Sequence, residues 1–394
     1  MYSKIILHNG KERSVQNFHP WIFSGAVKKQ DDNVKEGDIV EVLTSDNRYL
    51  ATGHFHKGTI VTRVISWEKT VINREFWITK IRKAYEYRNT LGLINNKDTD
   101  AYRLIHGEGD GLPGLIIDIY NSVAVVQTHT AGMHLALADI SKALQVVYDN
   151  QLQAIYNKSY EALLKQHVSS EPDQYLYKSE TFQNSVIQEN QHKFAINFIE
   201  GQKTGFFLDQ RDNRKLLAHY SKGKTVLNTF CYSGGFSIYA LAAGAKLVHS
   251  VDSSKKAIEQ TEENVKLNFN DAPHESFTAD VFDYLKTHQE KYDIVILDPP
   301  AFAKHLSAVR NATNGYRNLN YEGIKAVAPG GMLFTFSCSQ AIDKELFRKI
   351  VFQSAAMAKR TVRIMHQVTQ PADHPVNIYH PEGEYLKGIL LYIE

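Results

Sequence analysis

The 394-residue chain has little cysteine, no long apolar run and almost no surplus of charge. Two cysteines cannot form a disulfide framework, so a reducing compartment, the cytoplasm, is expected. No run of 18 apolar residues occurs, and the N-terminus turns polar early, so neither a membrane span nor a signal peptide is predicted. The 17 histidines show no HExxH pattern and the cysteines no CxxC, so no metal site is expected.

The composition is that of an ordinary globular protein. With 43% hydrophobic and 22% charged residues, the chain can bury a sizeable core, and its length predicts two or three domains. The formal net charge is only +2, whereas a dedicated nonspecific nucleic-acid binder is usually more basic. Total charge therefore neither favours nor excludes an RNA partner.

Three regions differ in their pattern and predict three domains. Residues 1–72 contain short alternating strands broken by turns, which predicts a small β-barrel or sandwich. Residues 73–190 combine a helical pattern within 74–95, predicted to end near Gly92, with several strands. They form a compact α+β unit whose polar segment 165–180 is predicted to be a linker or surface loop. Residues 191–394 alternate apolar strands with helices, which predicts a doubly wound, Rossmann-like parallel sheet.

Polar or glycine-rich segments follow four successive strands of that sheet. They are the pair Gly234 and Gly235, then Asp252, Asp280 and the triplet "DPP" at 298–300. Each has an ordinary structural explanation: a turn, helix caps and a rigid proline turn. Ligands of such sheets bind beyond the carboxyl ends of the strands, and the glycine spacing is not that of a dinucleotide fingerprint. Together the four segments favour a nucleotide-like ligand, with Asp252 on a ribose and Asp280 near an adenine.

Longer motifs carry a resemblance that covers nearly the whole chain. The motifs are "HPWIFSGAV" (19–27), "YRLIHGEGDGLPGLIIDIY" (102–120), "KTGFFLDQRDNR" (203–214), "NTFCYSGGF" (228–236), "LDPPAF" (297–302), "FSCS" (336–339) and a last segment, "DHPVNIYHPEGEYLKGILL" (373–391). With these motifs the sequence resembles the bacterial 23S ribosomal RNA large subunit methyltransferase I family, whose members are S-adenosylmethionine-dependent cytosine-5 enzymes with an N-terminal PUA domain.

The resemblance implies S-adenosylmethionine as cofactor and assigns roles to particular residues. The implied cofactor-binding residues are Asp209, Gln210, Arg211, Phe230, Tyr232, Ser233, Gly234, Gly235, Phe236, Asp252, Ser253, Asp280 and Asp298. The implied substrate-binding residues are Pro299, Pro300 and Phe302. Arg211 suits the methionine carboxylate through a two-point contact, although a surface helix charge would give the same sequence.

The chemistry of cytosine directs attention to Cys338. Carbon 5 becomes nucleophilic only after a nucleophile has added to carbon 6, and a thiolate suits that step. Cys338 ends a predicted strand beside the one that ends at Asp298, and the resemblance places the family's catalytic cysteine in this "SCS" segment. Cys338 and Asp298 are therefore the expected catalytic residues. Free cysteine is often an inert core residue, and for Cys231 a small loop residue is the better interpretation.

Other functions remain open at the level of sequence. The "DPP" segment with its aromatic neighbour also suits a methyltransferase acting on a purine nitrogen, which needs no thiol. A noncatalytic RNA-binding protein is a further alternative, while an NAD-dependent oxidoreductase lacks the required glycines. The implied partner is ribosomal RNA, not a membrane, and a homodimer is implied only by the resemblance.

Overall fold

The computed structural model describes residues 2–165, 168–182, 186–303 and 306–394. The chain forms two compact units, and neither is continuous in sequence. The first comprises Met1–Gln188, Ile196–Phe206 and Ala372–Gly383, and the second comprises the remaining segments, Glu189–Ala195, Phe207–Pro371 and Glu384–Glu394. The first two of the three domains expected from the sequence lie in one unit. The division into three domains stays a prediction.

The first unit begins with six strands in one sheet, as the alternating pattern predicts. The elements are β1 (Ser3–Leu7), α1 (Arg13–Gln16), β2 (Trp21–Phe23), β3 (Val27–Gln30), β4 (Ile39–Leu43), β5 (Tyr49–Phe55) and β6 (Ile60–Ser66). The strand order is β2-β6-β5-β4-β1-β3, and β1 runs parallel to β4. Apolar residues of these strands, such as Ile5, Val40 and Val64, are fully buried together.

A second, five-stranded sheet with helices completes most of the first unit. Its elements are α2 (Arg74–Thr90), β7 (Ala101–His106), β8 (Leu115–Tyr120), β9 (Val123–Thr128), α3 (Ala131–Leu135), α4 (Leu137–Val147), β10 (Ala154–Asn157), α5 (Tyr160–Leu164) and β11 (Gln174–Lys178). Asn73 caps α2 by accepting a hydrogen bond from the Phe76 amide, and Gly92, with a φ of 71°, lies just beyond its end. The helix thus ends at Thr90, close to Gly92, where the sequence predicted its end.

The prediction of a linker or loop over residues 165–180 is wrong in one part. Residues 174–178 form β11, which pairs antiparallel with β10 at the edge of the sheet. An edge strand is hydrogen-bonded to a neighbouring strand on one side only and tolerates polar, half-exposed residues. Its composition can therefore resemble that of a loop. Residues 166 and 167 lie outside the described part of the chain.

The second unit alternates strands and helices. After the hairpin β12 (Val186–Glu189) and β13 (His192–Ala195) come α6 (Arg211–Ser221), β14 (Thr225–Thr229), α7 (Gly235–Ala242), β15 (Leu247–Asp252), α8 (Lys255–Asn268), β16 (His274–Thr278), α9 (Val281–Thr287), β17 (Tyr292–Leu297), α10 (Val309–Ala326), β18 (Val327–Ser337), α11 (Lys344–Ala358), β19 (Val362–Val368) and β20 (Lys387–Ile393). The apolar residues of β14, β17 and β18 are buried, as expected for strands covered on both faces.

The second unit is built on a seven-stranded sheet of order β16-β15-β14-β17-β18-β20-β19. Neighbours from β16 to β18 are parallel, which confirms the Rossmann-like expectation. β20 runs antiparallel to both of its neighbours, so the sheet is mixed at one side. Chain order reverses at β14, and such switch points are where open α/β sheets bind ligands.

The segment "GYRNLNYEGIKAVAPGG" (315–331) predicts a helix, but the helix has different bounds in the structure. It starts earlier, at Val309, and ends at Ala326, after which the chain enters β18. Pro329 cannot continue a helix, and Gly330 adopts a φ of 80°, so the helical pattern stops there. Among the described residues, no helix combines the length and apolarity needed to cross a membrane.

Candidate active site

The carboxyl ends of β14, β17 and β18 lie side by side. Thr229 pairs with Leu297, and Leu297 pairs with Thr335, in parallel register. The segments that follow these strands therefore all leave the sheet at the carboxyl ends of its strands. They contain the glycine pair, the "DPP" triplet and Cys338, so three of the sequence-predicted segments are brought to neighbouring positions.

The loop after β14 is tightly held and has no room for a side chain at Gly234. Gly234 has a φ of 75°, and a Cβ there would lie 2.7 Å from Cγ2 of Thr261. A Cβ at Gly235 would lie 3.1 Å from Cδ of Arg214. Phe230 and Tyr232 both have positive φ, an uncommon conformation for bulky residues that is often found at ligand sites.

Not every residue of this loop is equally open. Ser233 is buried, and its carbonyl oxygen accepts a hydrogen bond from Nδ2 of Asn264 at 2.8 Å. Phe236 is buried with its ring stacked on Phe336. Tyr232 remains partly exposed, and Phe207 packs against its ring at 5.1 Å.

Asp252 orders the adjoining turn rather than capping the helix. One carboxylate oxygen accepts a hydrogen bond from the Tyr232 amide at 3.1 Å, and the other accepts from the Ser254 amide at 2.9 Å. Ser254 itself caps α8 by accepting from the Ala257 amide. Ser253 is exposed beside them. The carboxylate thus lies at the end of β15, and its contact with a ribose stays a prediction.

Asp280 has the structural role that the sequence left open. It is exposed and caps α9, accepting hydrogen bonds through Oδ1 from the amides of Phe282 and Asp283. The adenine contact stays a prediction.

Asp298 lies directly after β17 and is only partly exposed. Its Oδ2 accepts a hydrogen bond from Nε2 of Gln210 at 3.0 Å. Burial raises the pKa of Asp298 to about 7, and the negative charge of Asp209 adds to this shift. The carboxyl group therefore changes protonation near neutral pH.

The segment before β14 supplies the other polar residues expected near the cofactor. Gln210 is buried, and its amide oxygen accepts from Nδ2 of Asn213 at 2.6 Å, which orients its amide nitrogen toward Asp298. Asp209 accepts a hydrogen bond of 2.7 Å from the hydroxyl of Tyr385. Arg211 is buried at the start of α6.

The two thiols have different surroundings. Cys338 follows β18 directly, is partly exposed, and its Sγ lies 4.0 Å from the carbonyl oxygen of Pro299. Cys231 is buried, with its Sγ 3.6 Å from Oγ1 of Thr261, and burial raises the pKa of its thiol to about 12. Since the thiolate is the reactive form, Cys231 is inert at neutral pH.

The residues next to Cys338 are held firmly. Ser339 is fully buried, and its hydroxyl shares a hydrogen bond of 2.9 Å with Tyr316 and accepts one from the Ala303 amide. Its carbonyl oxygen accepts from Nζ of Lys387 at 2.7 Å. The thiol is thus carried on a short backbone segment that α10 and β20 fix from two sides.

The predicted substrate residues occupy different environments. Pro299 is buried and Pro300 is exposed. The ring centroid of Phe302 lies 4.5 Å from that of Tyr316. A Cβ at Gly315 would lie 3.1 Å from Cδ2 of Phe302. One part of the Phe302 ring is therefore occupied by α10, and its stacking on a base stays a prediction.

Comparison with known proteins agrees with this architecture. A family model of S-adenosylmethionine-dependent methyltransferases matches residues 102–380, and a model of PUA-like domains matches residues 5–67. The ribosomal RNA large subunit methyltransferase I of Aeromonas hydrophila is 39% identical over 99% of both chains. The chain belongs to the ribosomal RNA large subunit methyltransferase I family. The enzyme of the same name from Aliivibrio fischeri is 37% identical over 98% of both chains.

Solved structures support the assignment to the S-adenosylmethionine-dependent methyltransferases. A chain from Streptococcus mutans, classed as an S-adenosylmethionine-dependent methyltransferase, is 25% identical and has a TM-score of 0.83 over 99% of both chains. A second, a methyltransferase complexed with S-adenosylhomocysteine, is also 25% identical, with a TM-score of 0.84 over 99% of both chains. The PUA-like and Rossmann-like fold predicted from sequence is therefore confirmed, and so is the family.

The residues present fit the cofactor of a methyltransferase I family member. The glycine loop excludes side chains where the backbone must approach a ligand, and a carboxylate stands at the end of β15. Within the described residues, no cluster of three or more His, Cys, Asp or Glu side chains could hold a metal ion.

Sequence reasoning missed a buried ion pair that supports the glycine loop. Arg214 donates two hydrogen bonds of 2.8 Å to the carboxylate of Glu189, and one to the carbonyl oxygen of Phe207. Tyr239 also donates to Glu189. Because Arg214 lies against Gly235, this pair shapes the loop from behind. Nothing in the sequence links the two residues, which belong to different elements.

Sequence reasoning also missed Lys387, although a signal was available. It opens the strand "KGILLYI", where every following residue is apolar or glycine. A lysine at the start of so apolar a strand is unusual, because lysine is rarely buried unless it has a partner.

Proposed function

We propose that this protein transfers a methyl group from S-adenosylmethionine to carbon 5 of a cytosine in the ribosomal RNA of the large subunit. The observation that carries the proposal is that Cys338 has a partly exposed thiol and follows β18, next to Asp298, which follows the neighbouring strand β17. The relatives' name supports the class of RNA, and such a substrate implies work in the cytoplasm. The PUA-like region would dock the RNA.

The cofactor supplies an electrophilic methyl group when bound. Asp252 would accept hydrogen bonds from its ribose, Asp280 would lie near its adenine, and Arg211 would bind its carboxylate. The loop from Phe230 to Phe236 would surround it. Each of these roles is expected to contribute to affinity rather than to the chemical step.

Cys338 opens the reaction as a thiolate. Its sulfur adds to carbon 6 of the cytosine, and the electron pair of the 5,6 double bond makes carbon 5 nucleophilic. Carbon 5 would then take the methyl group, and the carbon–sulfur bond of the donor would break to leave S-adenosylhomocysteine. Loss of the carbon 5 proton to a base restores the double bond and expels the thiolate, so the enzyme is regenerated.

Asp298 would hold the polar edge of the base. Its pKa of about 7 leaves much of the carboxyl group neutral at physiological pH. A neutral carboxyl group can donate one hydrogen bond to the ring nitrogen and accept one from the 4-amino group. Donation to the ring nitrogen offsets the negative charge that develops as carbon 6 is attacked.

The proposal predicts a covalent trap. An RNA with 5-fluorocytosine at the target should link to the protein, because fluorine at carbon 5 cannot leave as a proton. The complex should survive a denaturing gel, and peptide mapping should place the bond at Cys338. Cys338→Ala should abolish both the trap and methylation, a loss of at least about 10⁴-fold, while leaving S-adenosylhomocysteine affinity unchanged.

Cys231 provides the matched control. Cys231→Ala should keep the trap, because this thiol is buried and protonated. If Cys338→Ala methylates RNA at close to the normal rate, the cytosine-5 mechanism is wrong. Mass spectrometry of the methylated nucleoside would then test the alternative, methylation of a purine nitrogen beside the "DPP" segment.

A further inference from the structure

Lys387 places a buried ammonium group at the end of β20. The residue is 5% exposed, and it pairs with Ser337, the last residue of β18. Its Nζ donates hydrogen bonds of 2.7 Å to the carbonyl oxygens of Ser339 and Tyr385. Among the described residues these are its only hydrogen-bond partners, so one of its three N–H groups is not used by them.

A buried ammonium is costly unless a negative charge compensates it. No carboxylate among the described residues accepts a hydrogen bond from Nζ, and burial lowers the pKa of Lys387 to about 8. The group that most favours its charged form is Cys338, ahead of Glu384 and Asp343. The chain therefore keeps a buried cation whose strongest counter-charge would be the anion of the candidate nucleophile.

Other charged or titratable groups face this cluster. Tyr316 approaches from α10, and burial raises the pKa of its hydroxyl, so it stays neutral. Lys344, at the start of α11, opposes the charge on Lys387 but forms an ion pair with Glu384. Lys387 is thus the buried cation of the cluster, and the described acidic groups near it lie outside hydrogen-bond distance.

We propose that Lys387 is a positioning residue for Cys338, holding the Ser339 carbonyl in place and stabilising the Cys338 thiolate. The thiol gives its proton to solvent, and the ammonium keeps all of its protons. The same charge would stabilise the thiolate when the methylated base expels it. The inference rests on the proposed function only in taking this thiolate as the catalytic species.

A purely structural lysine would also tie the ends of β18 and β20 together. The two roles differ in the pH at which the Cys338 thiol ionises, because a structural tie leaves that pH unchanged. Alkylation by iodoacetamide, followed by mass spectrometry of each cysteine peptide over pH 5–10, measures this midpoint without RNA or cofactor. Cys231 serves as an internal control, because it should remain unmodified while the protein is folded.

The wild-type midpoint at Cys338 should lie below the ordinary value of about 8.5. In Lys387→Gln, which keeps an N–H donor without the charge, the midpoint should rise by at least about one pH unit, a roughly tenfold slower alkylation at pH 7. Lys387→Arg, which keeps the charge, should restore most of the wild-type profile. Thermal unfolding of each variant checks that the fold is intact.

Three results would overturn the proposal. They are an unchanged midpoint in a folded Lys387→Gln variant, failure of Lys387→Arg to restore it, and a wild-type midpoint at or above about 8.5. The last needs no variant. If Cys338→Ala proves fully active while the midpoint still depends on Lys387, the electrostatic role stands and the cytosine-5 mechanism fails. If Cys338→Ala loses the trap while the midpoint does not depend on Lys387, the mechanism stands and the electrostatic role fails.

Discussion

At the scale of single residues, Asp298 illustrates a carboxyl group kept partly protonated by its surroundings. It is partly buried at the end of β17 and lies near a second negative charge, Asp209. Both effects disfavour the anion, and the bond from Gln210 compensates only in part. The folded protein therefore binds a proton that the unfolded chain releases at lower pH.

This difference predicts how Asp298→Asn changes stability with pH. The folded pKa is raised, so the wild type loses stability as pH rises from about 4 to about 7. Asn is neutral throughout and can still accept from Gln210. Thermal unfolding should therefore show Asp298→Asn to be the more stable protein at pH 8, with the gap closing toward pH 4. A variant that is less stable at pH 8 would contradict the assigned environment.

Two roles of Asp280, capping α9 and contacting the cofactor, can be tested separately. Asp280→Ala should lose about 1 kcal/mol of unfolding free energy, because the amides of Phe282 and Asp283 lose their acceptor. Asp280→Ser should keep most of that stability, since serine is also a good cap. Calorimetry with S-adenosylhomocysteine then decides the function. If Asp280→Ser binds as the wild type does, the residue is a cap and not part of the cofactor site.

The sequence predicted which residues follow the central strands, but it did not predict the residues that hold them in place. The residues after β14, β15 and β17 were predictable because polar groups at strand ends carry a signal of their own. Lys387 and Ser337 are 50 positions apart and meet only through the antiparallel register of β18 and β20. Such a register follows from the packing of the whole sheet, so local sequence does not reveal it.

At the scale of elements, the turn into α7 depends on close packing against α8. Gly234 is the residue that permits it, because Thr261 of α8 leaves no space for a methyl group. The same logic explains why element boundaries were less predictable than the elements themselves. Ala326 ends α10 and Val327 begins β18 without a change in polarity, and only the proline and glycines that follow mark the change.

Alanine substitutions at two glycines, Gly234 and Gly244, test this packing. Gly234→Ala should cost about 2–4 kcal/mol, the sum of an unfavourable φ and the contact with Thr261. Gly244→Ala is the matched control, since its φ is 84° but no atom lies within 4 Å of the added methyl, so it should cost about 1–2 kcal/mol. Denaturant unfolding measures both. Equal losses would mean that the loop relaxes away from Thr261.

At the scale of the whole molecule, the first unit is closed by residues from near the end of the chain. Arg88 is fully buried and bonds both oxygens of Asp110. It also donates to the carbonyl oxygen of Asp373 at 2.7 Å, and the side chain of Asp373 accepts from the Arg103 amide at 3.0 Å. The buried charge is thus completed by a segment 285 positions away.

Asp373→Ala should therefore destabilise the first unit. The Arg103 amide would lose its buried acceptor, which predicts a loss of about 1–3 kcal/mol in unfolding free energy. Glu382→Ala, an exposed change in the same segment, should have almost no effect. Urea unfolding of the full chain compares the two. Similar values for both variants would show that the segment contributes little to the unit.

The discontinuity of the first unit also affects how the protein is made. A nascent chain emerges from its N-terminus, and most domains fold in that order as they are synthesised. Here the first 188 residues must wait for Ala372–Gly383 before their buried arginine is fully bonded. Folding of this unit is therefore completed only after Ala372–Gly383 has been synthesised, and a chain that stops before this segment leaves Arg88 without the carbonyl oxygen of Asp373.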